Sequence, residues 1–226
     1  MEKIIHLVKK NLSPSYSKKQ RIIFLSAGVA SFLLFVIFTF IVRADVLRPF
    51  DFDTTVRIQD DVPVRFDGFF SFLSVIGRFE FSVAVLLAIL FFKKKILGLL
   101  TIGFFGFAHV IEVIGKSFLS QPGPPHMFLR TKELASEFPG LFIHTGASYP
   151  SGHSLRAIFI VVILTLIIVK FKKFPRSIKY LLITLASSYA FLMLLSRVSL
   201  GEHWTTDVIA GGLLGLSFAL FSLLFL

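Results

Sequence analysis

The chain has 226 residues, of which 55% are hydrophobic and only 16% charged, with 29 Phe and a mean hydropathy of +0.82. That composition excludes an ordinary soluble globular domain. The formal charge of +11 sits in short basic segments that flank apolar runs, which points to a membrane protein and away from a nucleic-acid partner. Cysteine is absent, so disulfides and thiolate metal sites are excluded.

Residues 1–21 carry Lys3, Lys9, Lys10, Lys18, Lys19 and Arg21 ahead of the first apolar run. The run Ile22–Val42 is too long for the apolar part of a typical cleaved leader, and no small-residue cleavage site follows it. It is expected to be an uncleaved first membrane span. Residues 43–78 alternate Asp51, Asp53, Asp60, Asp61 and Asp67 with Arg48, Arg57 and Arg65, and Pro63 and Gly68 interrupt them. We read this segment as a solvated, extracytoplasmic or interfacial loop, with Phe66, Phe69, Phe70 and Phe72 in the headgroup plane.

A second span is expected over about Phe79–Phe92, with a start as early as Val75, and is closed by the basic turn Lys93–Lys95. The third is Ile96 to about Leu119. A polar segment rich in Pro, Gly and His follows, so that residues 120–150 read as one long loop; its lone histidines, His126 and His144, read as surface residues. The fourth span begins near Ser151 and ends at Val169. A basic loop with Lys170, Lys172, Lys173, Arg176 and Lys179 leads to the fifth, about Tyr180–Leu195. The sixth is about Thr205–Leu226, where Gly211, Gly212 and Gly215 permit close helix packing. The expected fold is therefore all-α: one polytopic membrane domain over 1–226 with six transmembrane helices in a bundle.

Six spans place the N-terminus, the Lys93–Lys95 turn and the Lys170–Lys179 loop on one side. All three are basic, so this side is expected to be cytoplasmic, with both termini on it. The opposite, extracytoplasmic side then receives the residues with chemical potential. Ser196 and Arg197 are followed by His203 and Asp207 in the pattern S-R-x5-H-x3-D, and Pro150–His153 reads P-S-G-H. Polar groups beside apolar spans are costly unless they have a role.

His203 and Asp207 are four residues apart, a helical spacing that lets a carboxylate hold an imidazole in one tautomer as a nucleophile. His153 fits a general acid. Ser151 and Gly152 open a span whose N-terminal N–H groups favour a phosphate. Arg197 and Lys116 supply fixed positive charge for a phosphoryl transition state.

These motifs resemble those of the type 2 phosphatidic acid phosphatase superfamily, the lipid phosphate phosphatases. The resemblance implies that His203 forms a phosphohistidine and that Asp207 positions it. It also implies a first motif, K-x6-R-P, that is only partly present. Lys116 is followed at the right distance by Gly123-Pro124, so the arginine is missing. Arg156, one turn below His153, and Arg130, in the outer loop, are the two arginines placed to supply that charge.

The expected activity is metal-independent hydrolysis of a phosphate monoester or of a terminal lipid diphosphate. The substrate classes are undecaprenyl diphosphate, phosphatidic acid and phosphatidylglycerol phosphate. No metal or other cofactor is implied, and the partners are the lipid substrate and the membrane. The alternatives are a lipid phosphotransferase and a catalytically weak lipid-phosphate-binding relative. By analogy the location is a bacterial plasma membrane.

Overall fold

The computed structural model describes residues 16–93, 98–119, 121–130 and 147–225. The expected basic segment at 1–15, Lys94 and Lys95 of the basic turn, and residues 120 and 131–146 of the long loop, His144 included, lie outside the described residues.

Among the described residues eight α-helices follow in chain order: α1 Lys18–Arg43, α2 Arg48–Asp61, α3 Asp67–Ile76, α4 Phe79–Lys93, α5 Gly98–Leu119, α6 Gly152–Lys170, α7 Arg176–Ser199 and α8 Thr205–Leu223. Short 3-10 turns cover Val64–Phe66 and His126–Phe128. Among the described residues only an isolated bridge, Pro122 to Ala147, has β character. Helices α1, α5, α6, α7 and α8 are each long and apolar enough to cross a membrane. The pair α3 and α4, bent by 54° at their junction, makes a sixth crossing if taken together.

The expected all-α membrane bundle is thus present, with two differences. The charged segment read as a solvated loop folds into α2 and α3. Pro49 stands in the first turn of α2, where its missing N–H is not needed. Asp51 there is buried, not solvated. The fifth crossing also runs from Arg176 to Ser199, four residues beyond the expected span at each end. Its polar ends are helical, and hydropathy alone does not mark them.

Helices α6 and α8 form the centre. Leu155, Phe159 and Ile163 of α6 and Ala210, Leu214 and Phe218 of α8 are buried in one core. Within lipid, helices gain little from hiding apolar surface from water, and association relies on close packing. Gly211 and Gly215 provide it, because a Cβ at either would overlap the backbone carbonyl of Ser151 or Leu155 on α6. Exposed Tyr180, Leu181, Leu185 and Phe191 give α7 an apolar outer face, as expected of a surface in contact with lipid.

The ammonium of Lys170, at the end of α6, lies over the ring of Tyr16 beside the start of α1. The basic groups Lys18, Lys19, Arg21 and Lys170–Lys179 therefore gather at one end of the bundle. The N-terminal ends of α6 and α8 meet at the other, where Ser151 N–H donates to the Asp207 carbonyl at 3.0 Å.

Candidate active site

The last turns of α5 and α7, the first turns of α6 and α8, and the break between α3 and α4 converge at that second end. The link between α7 and α8 is tight. The N–H groups of Glu202 and His203 both donate to the Arg197 carbonyl at 3.1 Å. Gly201 turns the chain with a φ of 72°, a left-handed conformation that suits glycine, and its Cα lies against the Phe128 carbonyl, where no Cβ fits.

His203 lies in this turn, ahead of α8, rather than on the helix as its spacing suggested. It still meets Asp207: Nδ1 is 3.4 Å from Oδ2. The same carboxylate oxygen accepts the Trp204 N–H at 2.9 Å, so Asp207 caps its own helix while facing the imidazole. Asp207 is fully buried, and the His203 side chain keeps 14% of its surface exposed.

Arg197 is fully buried near the end of α7. Its Nε and Nη2 donate to the Ser196 hydroxyl at 3.2 and 3.1 Å. Nη2 also donates to the Ser74 hydroxyl, and Nη1 to the Glu202 carboxylate. His153, in the first turn of α6, places Nε2 3.2 Å from the Ser74 carbonyl and lies within electrostatic reach of Arg197, Arg156 and His203. Ser151 is the buried N-cap of α6, its hydroxyl accepting the Ser154 N–H at 3.5 Å.

Lys116 Nζ pairs with Glu112 Oε1 at 3.0 Å on α5. Glu112 is fully buried, and a Cβ on Gly152 would overlap its carboxylate. Gly152 thus lets an anionic group lie directly on the first turn of α6.

The two arginines considered for the missing charge have different surroundings. Arg156 is buried on α6, donates through Nε to the Gly77 carbonyl at 2.7 Å, and brings Nη1 to the space above Gly152. Arg130 donates to the backbone carbonyls of Val62, at 2.8 Å, and Gln59, and its Nη1 is 3.8 Å from Asp67. Those partners lie on and after α2, so Arg130 pins that helix to the outer loop. Gly123 has room for a side chain, since the nearest atom to a Cβ there is Ser148 Cβ at 3.6 Å.

A family description for the PAP2 superfamily matches residues 94–226, which hold all of these motifs. The chain belongs to the PAP2 superfamily. It is 30% identical to phosphatidylglycerophosphatase B of Bacillus subtilis over 126 residues, 56% of either chain. It is 34% identical to undecaprenyl-diphosphatase of Sulfolobus acidocaldarius over 150 residues, 66% of this chain and 65% of that one. The matched stretches thus span less than two thirds of those relatives' own lengths.

Two crystal structures share the fold. The transmembrane PAP2 type phosphatidylglycerolphosphate phosphatase of Bacillus subtilis superposes with a TM-score of 0.70 at 24% identity, covering 86% of this chain and 93% of that one. Aquifex aeolicus LpxE superposes with a TM-score of 0.57 at 22% identity, covering 76% and 93%.

This PAP2 chain also engages residues outside the motifs. Ser74 and Gly77 sit at the break between α3 and α4, where the end of a helix leaves carbonyls without helical donors; they serve His153 and Arg156 instead. Their signal in the sequence is a glycine between two apolar runs, which left the start of the second span open. Glu112 was visible as the lone acid in the apolar run of α5, four residues before Lys116. Asp51 accepts the Thr206 N–H at 2.8 Å and is 2.6 Å from the Thr206 hydroxyl. Burial raises the pKa of its carboxyl above the ordinary range, against the lowering effect of these hydrogen bonds.

Proposed function

We propose that this protein is a membrane lipid phosphatase that hydrolyses a phosphate monoester or the terminal phosphate of a lipid diphosphate through a histidine nucleophile. The observation that carries the reading is the convergence of His203 with its carboxylate, His153 and Arg197 at one end of an apolar bundle, with Lys116 and Arg156 alongside.

In this reading Asp207 accepts from Nδ1–H of neutral His203, which leaves the Nε2 lone pair for phosphorus. The new P–N bond forms as the bond to the lipid oxygen breaks. His153 gives that oxygen a proton. With Nε2 facing the Ser74 carbonyl at 3.2 Å, the proton is delivered from Nδ1, which must be protonated with the negatively charged phosphate bound. Water then attacks phosphorus, the P–N bond breaks, and His153 takes up the water proton. Inorganic phosphate leaves and His203 is neutral again. Arg197, Lys116 and Arg156 face the equatorial oxygens, where negative charge is greatest in the transition state. Ser151 and Gly152 add the N-terminal N–H groups of α6.

The relatives' names cover both a phosphatidylglycerol phosphate and an undecaprenyl diphosphate substrate. Purified protein in detergent, offered phosphatidic acid, phosphatidylglycerol phosphate and undecaprenyl diphosphate, is expected to release phosphate from at least one. No release from any of them contradicts the reading. The site is proposed to face the extracytoplasmic side of a bacterial plasma membrane, with the basic end of the bundle and both termini in the cytoplasm.

A further inference from the structure

We propose that Glu112 is a positioning residue that holds Lys116 and Arg156 together as one phosphate-binding cation pair. The inference rests on the phosphatase reading and adds a residue to it.

Glu112 is a fully buried carboxylate in an apolar helix. Such a group is expensive within a span unless cations compensate it. Lys116 Nζ does so at 3.0 Å, one turn toward the membrane surface. Arg156 does so from the facing helix: the Glu112 carboxylate and Arg156 Nη1 crowd the same space above Gly152, Nη1 at 2.9 Å from where a Cβ would be. His109 Nε2 approaches the other side of the carboxylate at 3.8 Å.

Each cation has a long flexible side chain. Lys116 keeps 17% of its surface exposed and could snorkel outward. Arg156 is tied by Nε to the Gly77 carbonyl at 2.7 Å. The carboxylate between them sets the other end of both. In a chain with glycine at position 123, where the family motif has arginine, this arrangement draws a second cation from inside the bundle to the side of Lys116. Glu112 need not touch the substrate. It acts by fixing where two charges stand, and preorganised charge is what stabilises a transition state.

Orthovanadate, which adopts the five-coordinate geometry of the transition state, is the probe. Its affinity is read from the rise in melting temperature in detergent, and kcat and KM are measured in parallel on dioctanoyl phosphatidic acid. Glu112→Gln keeps the shape and removes the charge. It is expected to weaken vanadate binding about tenfold or more, with a matching fall in kcat/KM. Glu112→Asp should fall between the two. A merely structural role would reduce the active fraction and leave vanadate affinity unchanged, and that outcome overturns the proposal. Tighter vanadate binding by Glu112→Gln also overturns it, since the carboxylate would then be a competitor for the phosphate site. If Glu112→Gln does not fold, Glu112→Asp decides: unchanged vanadate affinity contradicts the proposal. Wild-type protein that binds vanadate and releases phosphate from no lipid would refute the phosphatase reading, while the comparison of vanadate affinities would still judge Glu112.

Discussion

Nδ1 of His203 lies 3.4 Å from Oδ2 of Asp207, and that same oxygen accepts the Trp204 N–H at 2.9 Å. One carboxylate oxygen therefore both starts α8 and faces the imidazole. The position of His203 is set by the cap of the helix behind it. Losing the imidazole and loosening its orientation are different injuries. His203→Ala is expected to lower kcat by about 10³-fold or more, and Asp207→Asn by less, because Asn can still cap the helix. Steady-state phosphate release checks this. Retention of more than about a tenth of wild-type kcat by His203→Ala, a loss worth only ~1.4 kcal/mol, would remove it from the nucleophile's role.

The structure separates the two arginines proposed to replace the one missing at position 123. Arg156→Ala is expected to lower kcat about 10²-fold, the scale for losing one electrostatic contact to the transition state. Arg130→Ala frees carbonyls at Gln59 and Val62 and is expected to lower the melting temperature with little effect on kcat. Gly123→Arg fits sterically and should restore part of the rate in the Arg156→Ala background. A strong rise in kcat from Gly123→Arg in the wild-type background would mean that nothing has compensated for the missing arginine.

Much of the fold was legible because a spanning helix announces itself by length and apolar content. The site motifs were equally plain, since Pro150–His153 and Ser196–Asp207 are short and local. What stayed hidden depends on contacts between distant segments. The carbonyl of Ser74 reaches His153, 79 residues away, and no local pattern encodes that. Segment 43–78 looked like a loop because its charges lack a clean helical period. It is helical because Asp51, Thr54 and Gln59 bond to groups on and around the ends of α7 and α8. His203 fell outside α8 because the cap, which spacing cannot locate, comes one residue later.

Asp51 makes this tie sensitive to pH. Its folded pKa is raised by burial, so the native state holds the proton more tightly than the unfolded chain, whose value is about 3.9. The contribution of Asp51 to stability is then fullest below that value and is lost as pH rises through the folded pKa. Asp51→Asn cannot titrate. Melting temperatures measured between pH 4 and pH 7 should show wild type losing ground to Asp51→Asn as pH rises. A constant difference, or one of opposite sign, would contradict the assignment. Asp51→Ala leaves the Thr206 N–H without its acceptor and is expected to cost about 1–3 kcal/mol at pH 4 and less as pH rises.

Sidedness can be read by labelling, because the chain has no cysteine. Met127 is 77% exposed in the loop near the site, and Lys173 is exposed in the basic loop at the other end. A cysteine at Met127 is expected to react with an impermeant thiol reagent added outside intact cells. A cysteine at Lys173 should react only after the membrane is opened. The reverse pattern would place the site in the cytoplasm.

The central claim is that His203 carries the phosphoryl group during turnover. Its most direct test is acid-free quenching of the enzyme during turnover of lipid labelled in its terminal phosphate with ³²P, followed by peptide mapping. The account predicts a label on wild-type protein that is stable in base, is lost in acid, maps to the peptide containing His203 and is absent from His203→Ala. The same label on His203→Ala, or wild-type turnover whose label resides on another residue, would contradict it.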